Sequence, residues 1–384
     1  MKTWKYALSA LGAALVLSGC GGGGAGDQSR KASFNGMVSF GDSLSDVGTY
    51  KVGTVAALGG GKYTINGPNS LNWTEIVAKT YGLALPCAAQ TGLDGAAAQG
   101  FSVPATNIAT CFNYAQGGSR VTLQPGPGNK LLGGGNATLG QLTVPVKDQM
   151  LAHLAKVGGT YSGNELVTIL AGGNDIFMQG AAVGAAATGG VTAVQLGAVA
   201  GWTNGADALA GTLAAGGASA ANAAGTQAVT AMGKAGAELA GYIKALVLAN
   251  GAKTVIVVNL PNVSVTPFGI SQGAQGQGFT NLMVTTFNDQ LKAGLAGSGA
   301  VLADAYAEST NQASNPAPYG LSNVKNAACG TNALGGTALV CNASNVIAGD
   351  VSRYQYADDV HPTPYGYELL AKFVLSEMLK VGLL

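Results

Sequence analysis

The segment "MVSFGDSLSDVGTY", residues 37–50, contains a short apolar run that stops at a glycine and is followed by a polar turn. The same pattern recurs in "ELVTILAGGND" from Glu165 and in "TVIVVNLPN" from Thr254. Short buried strands that alternate with longer amphipathic stretches are typical of a mostly parallel sheet covered by helices. We therefore predict an α/β fold in which residues 37–50 supply the first strand and the turn after it.

The stretches between these strands have the spacing of helices. They are "LNWTEIVAKTYG" from Leu71, "VPVKDQMLAHLAKVGG" from Val144, residues 227–250, and a face formed by Phe279, Leu282, Met283, Phe287 and Leu291. "AVLADAY" from Ala300 is predicted as the last strand. Thr363 and Pro364 suit the N-cap and first position of a final helix.

Residues 180–225 form a tract of Ala, Gly and Thr with almost no charge and poor periodicity. Two interpretations stay open: an insertion that covers the functional site, or a loosely helical surface, which we favour. The chain has no internal repeat of fixed period. We expect one domain over residues 36–384.

The N-terminus has the features of a leader. Lys2 and Lys5 precede an apolar run that is too short to span a bilayer comfortably, and the run ends in Leu-Ser-Gly-Cys20. This ending resembles the lipobox of bacterial lipoproteins, in which the cysteine is acylated. We predict a signal peptide at 1–19, and a lipidated Cys20 followed by a glycine-rich tether over 20–35. The alternative is simple secretion.

Composition excludes some functions. Only 10% of residues are charged, and without the leader the chain has 17 basic and 18 acidic residues. No positive field is available to attract nucleic acid, so we predict no such partner. The 61 glycines indicate a protein rich in loops.

Four cysteines remain after Cys20, and an even number in an exported chain indicates disulfides. Of the three pairings we favour the local ones, Cys87 with Cys111 and Cys329 with Cys341. No cysteine pair has C-x-x-C spacing and the chain has two histidines, so a metal site is disfavoured.

Ser43 follows the end of the first predicted strand, and ligands bind at the carboxyl ends of strands in open α/β sheets. A serine hydroxyl needs a base to act as a nucleophile. His153 lies in an apolar helical stretch and is expected to be structural. His361 follows Asp358 by three residues, which suits a base oriented by a carboxylate. A solvated or helix-capping Asp358-Asp359 loop is the alternative.

Acyl transfer also needs donors for an oxyanion. "NYAQGGSR" offers a backbone N–H at Gly117 or Gly118, and "AGGNDIF" offers the side-chain amide of Asn174. Each segment alone is weak evidence in a chain this rich in glycine turns.

Together the four segments resemble the GDSL, or SGNH, hydrolase family. Ser43 in G-D-S-L-S, the glycine of N-Y-A-x-G-G, Asn174 in G-G-N-D and Asp358-x-x-His361-Pro362 occur in the family's order. "GKYTINGPNSLNWTEIVA" from Gly61 and "VVNLPNVSVTP" from Val257 resemble further blocks of the family.

The resemblance implies a flavodoxin-like three-layer α/β/α sandwich. It also implies a Ser43-His361-Asp358 triad, and an oxyanion hole formed by the N–H groups of Ser43 and Gly118 with the amide of Asn174. Gly117 remains an alternative to Gly118. Ala357 departs from the family, because many relatives carry an aromatic residue before the aspartate, so Asp359 stays an alternative partner for His361.

The implied activity is ester hydrolysis through an acyl-enzyme, without metal or cofactor, on lipid or short-to-medium acyl esters. Phospholipids, polysaccharide or polyester esters and thioesters are alternatives, and so is a surface lipoprotein that binds a partner without catalysis. We expect an exported monomer of the GDSL esterase/lipase type. Gly21 after Cys20 resembles lipoproteins sent to the outer membrane, on its periplasmic or surface face or released from it.

Overall fold

The computed structural model describes residues 32–202 and 205–384. The predicted signal peptide at 1–19 and the predicted lipidation site Cys20 lie outside the described residues, as does the tether up to residue 31. Within the described ranges, no helix combines the length and apolarity needed to cross a bilayer.

The strands are, in chain order, β1 (Gly36–Gly41), β2 (Gln90–Asp94), β3 (Ser102–Asn107), β4 (Glu165–Leu170), β5 (Thr254–Val258), β6 (Val301–Ala303), β7 (Asn323–Ala327) and β8 (Tyr354–Tyr356). The helices are α1 (Gly53–Ala57), α2 (Trp73–Thr80), α3 (Gly134–Leu139), α4 (Val146–Lys156), α5 (Gly173–Thr188), α6 (Ala193–Ala200), α7 (Gly205–Ala208), α8 (Ala210–Ala215), α9 (Gly217–Tyr242), α10 (Pro267–Ser271), α11 (Gly273–Leu295), α12 (Ala305–Ser314) and α13 (Pro364–Lys380).

The centre of the fold is a parallel sheet in the order β1-β4-β5-β6. Residues 112–116 extend it on the other side of β1: Ser39 N–H donates to Phe112 O at 3.1 Å, and Tyr114 N–H donates to Ser39 O at 2.8 Å. With this segment included, the order is that of a flavodoxin-like sheet, in which the chain changes direction beside the first strand. The predicted fold class is confirmed.

Alternate side chains of each strand face opposite layers, as strand geometry requires. Val38, Val167 and Val257 pack with α4, α5, α9 and α11 on one face. Met37 and Leu166 pack with α2 and α13 on the other face. A sheet buried on both faces explains why its strands are continuous apolar runs.

Local sequence signals determine the ends of the helices. Asn72 caps α2 and forms a capping box with Glu75. Thr363 caps α13 by accepting from Gly366 N–H at 3.0 Å, with Pro364 at the first helical position. Both caps satisfy backbone donors that would otherwise lack partners.

Most of the Ala/Gly-rich tract at 180–225 is helical where it is described, in short segments from α5 to α9. Its alanines join the main core: Ala186, Ala220 and Ala224 are fully buried. Small side chains let these helices approach each other closely while leaving little contrast between their faces. The tract therefore packs as an extension of the helical layer.

Two disulfides are present, Cys87 with Cys111 and Cys329 with Cys341, the local pairing that the sequence favours. The first closes the loop that leads to residues 112–116. The second closes the loop over 329–341, which contacts the residues after β8: Cys329 N–H donates to Ala357 O at 2.7 Å.

His153 is buried on α4 among aromatic rings. Its ring contacts those of Phe40, Phe112 and Tyr161, and its Nδ1 lies 3.2 Å from the hydroxyl of Tyr114. Among the described residues its Nε2 has no hydrogen-bond partner. Burial lowers the pKa of His153 from 6.5 to about 4, because the protonated ring would lose its hydration.

His153 should therefore make the fold sensitive to acid. The unfolded chain binds a proton near pH 6.5 and the folded chain only near pH 4, so stability is lost as the pH falls between these values. We expect the free energy of unfolding of the wild type to fall by up to roughly 3 kcal/mol more than that of His153→Phe over this range. Denaturant titrations at each pH measure the difference. Parallel pH curves for the two proteins would contradict the assignment.

Candidate active site

Ser43 lies in the turn directly after β1, where the backbone of the strand end is held firmly. The side-chain amide of Gln149, on α4, accepts from Gly41 N–H at 2.9 Å and donates to Gly41 O at 2.8 Å. Gly41 must lack a side chain, because a Cβ there would lie 2.3 Å from the carbonyl oxygen of Leu170 on β4. These contacts fix Ser43 at the carboxyl edge of the sheet.

His361 and Asp358 come from the loop between β8 and α13. His361 Nε2 lies 2.8 Å from Ser43 Oγ, and His361 Nδ1 lies 2.8 Å from Asp358 Oδ2. Both distances are those of hydrogen bonds. The sequence-predicted nucleophile, base and carboxylate therefore form one continuous chain of contacts.

Four hydrogen-bond donors hold the carboxylate of Asp358. Its Oδ1 accepts from the N–H groups of Val360 and His361, and its Oδ2 accepts from Ala338 N–H at 2.7 Å, in addition to the His361 ring. Burial alone would raise the pKa of Asp358, but the His361 charge and these donors outweigh it and lower the pKa to about 2. Asp358 is therefore ionised throughout the neutral range.

Ala357 is small because it is enclosed. It is fully buried against the Cys329–Cys341 disulfide, and its N–H donates to His361 O at 2.7 Å. Asp359 is exposed, and no hydrogen bond joins its carboxylate to His361 in the part of the chain that the structure describes. The geometry thus favours Asp358 over Asp359 as the partner of His361. His153 instead lies among the aromatic rings described above.

Three residues with N–H donors, Ser43, Gly118 and Asn174, line one groove at the site. Within residues 32–202 and 205–384, no hydrogen bond engages the backbone N–H of Ser43 or of Gly118. The side-chain amide of Asn174 uses one hydrogen on Ser119 O at 2.9 Å, which leaves its second hydrogen for a ligand. Such free donors are what a developing oxyanion requires.

The structure also distinguishes the two candidate glycines. Gly117 N–H donates to Asp46 Oδ2 at 2.9 Å and is therefore occupied. Gly118 has a φ of +80°, and a Cβ there would lie 2.1 Å from Pro127 O, so only glycine fits. This arrangement favours Gly118 as the donor.

An apolar cavity of about 90 Å³ opens on one side of Ser43. Its walls include Leu44, Phe177, Leu260 and Val263. Asp42 also lines the cavity, and burial raises its pKa to about 7 although Leu44 N–H donates to it. A neutral carboxyl group is more compatible with apolar walls than a charged one.

A wider and more polar groove of about 470 Å³ also borders Ser43. Asn136, Thr138 and Gln141 line it, and Tyr63 forms part of its floor. The Tyr63 ring packs on the His361 imidazole with 4.7 Å between ring centroids. Ser43 therefore borders both an apolar cavity and a more polar groove.

Sequence reasoning did not find several residues that support this site. Gln149, Tyr63 and Ala338 act through contacts between distant parts of the chain, and no local pattern marks them. The buried Arg120–Asp175 ion pair, 2.9 Å between Nε and Oδ1, was also missed. The one available signal was position, since Arg120 and Asp175 lie within the predicted donor segments. Within the described ranges, no group of three or more His, Cys, Asp or Glu residues could hold a metal ion.

Together, the flavodoxin-like sheet and the serine-histidine-carboxylate contacts at its carboxyl edge form a candidate serine-hydrolase site. The model of the family described as GDSL-like Lipase/Acylhydrolase matches residues 37–374. The chain belongs to this family. That result favours an enzyme over a binding module.

Individual relatives are more distant. The chain is 27% identical over 144 residues to the GDSL esterase/lipase At1g06990 of Arabidopsis thaliana, covering 34% of this chain and 40% of that protein. It is 29% identical over 138 residues to the GDSL esterase/lipase At5g22810 of the same plant, covering 33% and 38%. The chain thus spans about 40% of the length of these curated relatives.

Among solved structures, the chain is similar to Axe2, an acetylxylan esterase from Geobacillus stearothermophilus. The two are 12% identical, the match covers 91% of this chain and 96% of that one, and the TM-score is 0.36.

Proposed function

We propose that this protein is a serine carboxylic-ester hydrolase of the esterase/lipase type, in which Ser43 is the nucleophile, His361 the general base and acid, and Asp358 the orienting carboxylate. One observation carries the proposal: Ser43 Oγ and the Asp358 carboxylate each lie 2.8 Å from opposite nitrogens of the same imidazole. This is the arrangement that activates a serine hydroxyl.

In the acylation step, Ser43 Oγ attacks the acyl carbonyl carbon while its proton moves to His361 Nε2. Asp358 stabilises the imidazolium that forms. The negative charge on the former carbonyl oxygen is met by the N–H groups of Ser43 and Gly118 and by the amide of Asn174. As the intermediate collapses, the alcohol leaves with the proton from His361.

In the deacylation step, a water molecule replaces the alcohol. His361 takes its proton, the water oxygen attacks the ester carbonyl of the acyl-enzyme, and the same donors stabilise the second oxyanion. Ser43 Oγ then leaves with the proton returned by His361, and the carboxylic acid is released. The free enzyme is restored, and no metal or cofactor enters this mechanism.

The two spaces beside Ser43 support a division of the substrate. The apolar cavity suits the hydrocarbon part of an acyl group, and the polar groove suits an alcohol that bears hydrogen-bonding groups. Lipid esters or short-to-medium acyl esters of a polar alcohol fit this description.

The size of the acyl cavity should determine the preferred chain length. For a series of p-nitrophenyl esters, we expect kcat/KM to rise by about fourfold for each methylene buried, until the cavity is full. Val263→Phe fills part of the cavity and should shift the optimum to shorter chains, lowering kcat/KM for the longest esters roughly tenfold relative to acetate.

Val265→Phe is the matched control, because Val265 belongs to the same short 3₁₀ helix but lines a separate cavity with Lys325. The control should keep the wild-type optimum. If Val263→Phe also keeps it, the acyl group binds elsewhere.

We further propose that the protein is exported as a lipoprotein, acylated at Cys20 and attached to a membrane close to lipid substrates. The Leu-Ser-Gly-Cys20 sequence after an apolar run supports this proposal. Mass spectrometry of the N-terminal peptide from a bacterial membrane fraction tests it. A peptide that begins at an unmodified residue other than Cys20 would refute it.

A further inference from the structure

Arg120 and Asp175 form an ion pair that is almost completely buried, with 1% and 4% of their surfaces exposed. Arg120 Nε donates to Asp175 Oδ1 at 2.9 Å, and Val121 N–H donates to Asp175 Oδ2 at 3.0 Å. Replacing such a pair with apolar residues is often neutral or stabilising. The burial of this ion pair is therefore weak evidence that it stabilises the fold, and its position indicates a different role.

The ion pair joins the two segments that carry the proposed oxyanion donors. Arg120 comes two residues after Gly118, and Asp175 directly follows Asn174 in the first turn of α5. A third contact, from Asn174 Nδ2 to Ser119 O at 2.9 Å, joins the same segments. The contacts therefore fix the separation of the Gly118 N–H from the Asn174 amide.

Arg120 also reaches the Ala/Gly-rich tract. Its Nη1 donates to Val199 O at 2.7 Å, and its Nη2 lies 3.4 Å from Ala200 O. These are the last carbonyls of α6, which have no partners within the helix and favour a cation. Gln179 donates to Ala200 O as well. Arg120 thus contacts Asp175 through Nε and the end of α6 through Nη1 and Nη2.

We propose that Arg120 and Asp175 are positioning residues for the oxyanion hole, and that the end of α6 holds Arg120 in place for this role. The proposal rests on the proposed function, since it concerns the donors that serve Ser43. Neither residue touches the reacting atoms. Their effect is to hold the Gly118 and Asn174 donors at the spacing that a tetrahedral intermediate needs.

The test uses the full chain with two changes: Asp175→Asn, and the double change Arg120→Met with Asp175→Asn, which leaves no uncompensated buried charge. We expect kcat to fall by about 10- to 100-fold in both while KM stays within about threefold, because misplaced donors weaken the transition state more than substrate binding. Thermal unfolding and active-site titration show that the molecules counted are folded.

A transition-state analogue gives a readout that a merely structural role would not change. Ser43 Oγ adds to the carbonyl carbon of an alkyl trifluoromethyl ketone and passes its proton to His361, so the hemiketal oxygen carries the charge. Across the variants, the inhibition constant should rise by the same factor as kcat/KM falls. Lys372→Met, which removes an exposed ion pair on α13, is the control and should change neither value.

A double-mutant cycle with Asn174→Ala completes the test. Asn174→Ala alone should lower kcat by about 10²- to 10³-fold. In the Asn174→Ala background, Asp175→Asn should lower kcat only a few-fold further, because one of the donors that Asp175 positions is already absent. An equal cost of Asp175→Asn in both backgrounds, or an unchanged inhibition constant, would overturn the proposal. Failure of the proposed function would show separately, as an active Ser43→Ala enzyme.

Discussion

Replacing Ser43 with alanine is expected to lower kcat by on the order of 10⁶-fold, the scale seen when a serine triad loses its nucleophile. Alanine removes the Oγ that lies 2.8 Å from His361 Nε2 but keeps the backbone N–H. The proposed oxyanion hole of the Ser43, Gly118 and Asn174 donors is therefore expected to stay intact. Residual catalysis about 10³- to 10⁴-fold above the uncatalysed rate is expected from that hole and from binding.

Ser45→Ala is the matched control for this experiment. Ser45 lies in the same turn and is buried, but its Oγ accepts from Trp73 Nε1 at 3.2 Å and does not contact His361. We expect its kcat to stay within a few-fold of wild type. Initial rates with p-nitrophenyl butyrate measure both proteins. A Ser43→Ala enzyme with a kcat close to that of Ser45→Ala would show that the serine is not the nucleophile.

Asp358→Asn is expected to lower kcat by about 10⁴-fold. If the asparagine oxygen keeps the hydrogen bonds from the Val360 and His361 N–H groups, its amide nitrogen faces His361 Nδ1 and donates to it. The ring proton then moves to Nε2, and the ring can no longer accept the Ser43 proton. The change also places an amide where Asp358 Oδ2 accepts from Ala338 N–H. Because the pKa of Asp358 is about 2, its titration should not affect activity above about pH 4.

Asp359→Asn tests the alternative that the sequence left open. Asp359 is exposed and its carboxylate does not bond His361 in the described part of the chain, so we expect kcat within about threefold of wild type. Initial rates measured from pH 5 to 9 should show the same pH dependence as those of the wild type. If Asp359→Asn loses activity and Asp358→Asn keeps it, the orienting carboxylate has been assigned to the wrong residue.

The sequence predicted the four strands of the central parallel sheet and the helices α2, α4, α9, α11 and α13, because their apolar runs and spacing are strong local signals, but it did not predict the short strands outside that sheet. It did not predict residues 112–116 as part of the sheet, since the segment pairs with β1 through only a few hydrogen bonds and has no long apolar run. Leu151 and Leu282 have helical spacing but are 44% and 50% exposed. Spacing locates an apolar face, whereas neighbouring elements determine how much of that face is covered.

For the site, the sequence could place Ser43 and His361 together only through the order of the motifs, because 318 positions separate them. The three-residue spacing made Asp358 a local prediction. The Ala338 N–H that holds Asp358 could not be predicted, because it depends on how the disulfide loop 329–341 packs. The Ala/Gly-rich tract gave no signal either, because alanine helices bury one face without a marked change in polarity along the sequence.

The central claim is that Ser43 attacks the substrate, and the most direct test is the site of covalent attachment. The full chain is incubated with an alkyl fluorophosphonate, digested and analysed by mass spectrometry, beside Ser43→Ala and His361→Ala. We predict one phosphonyl group per molecule on the peptide that contains Ser43, none on Ser43→Ala and strongly slowed labelling of His361→Ala. An adduct on another residue, or none on Ser43 while the same sample hydrolyses esters, would contradict the account.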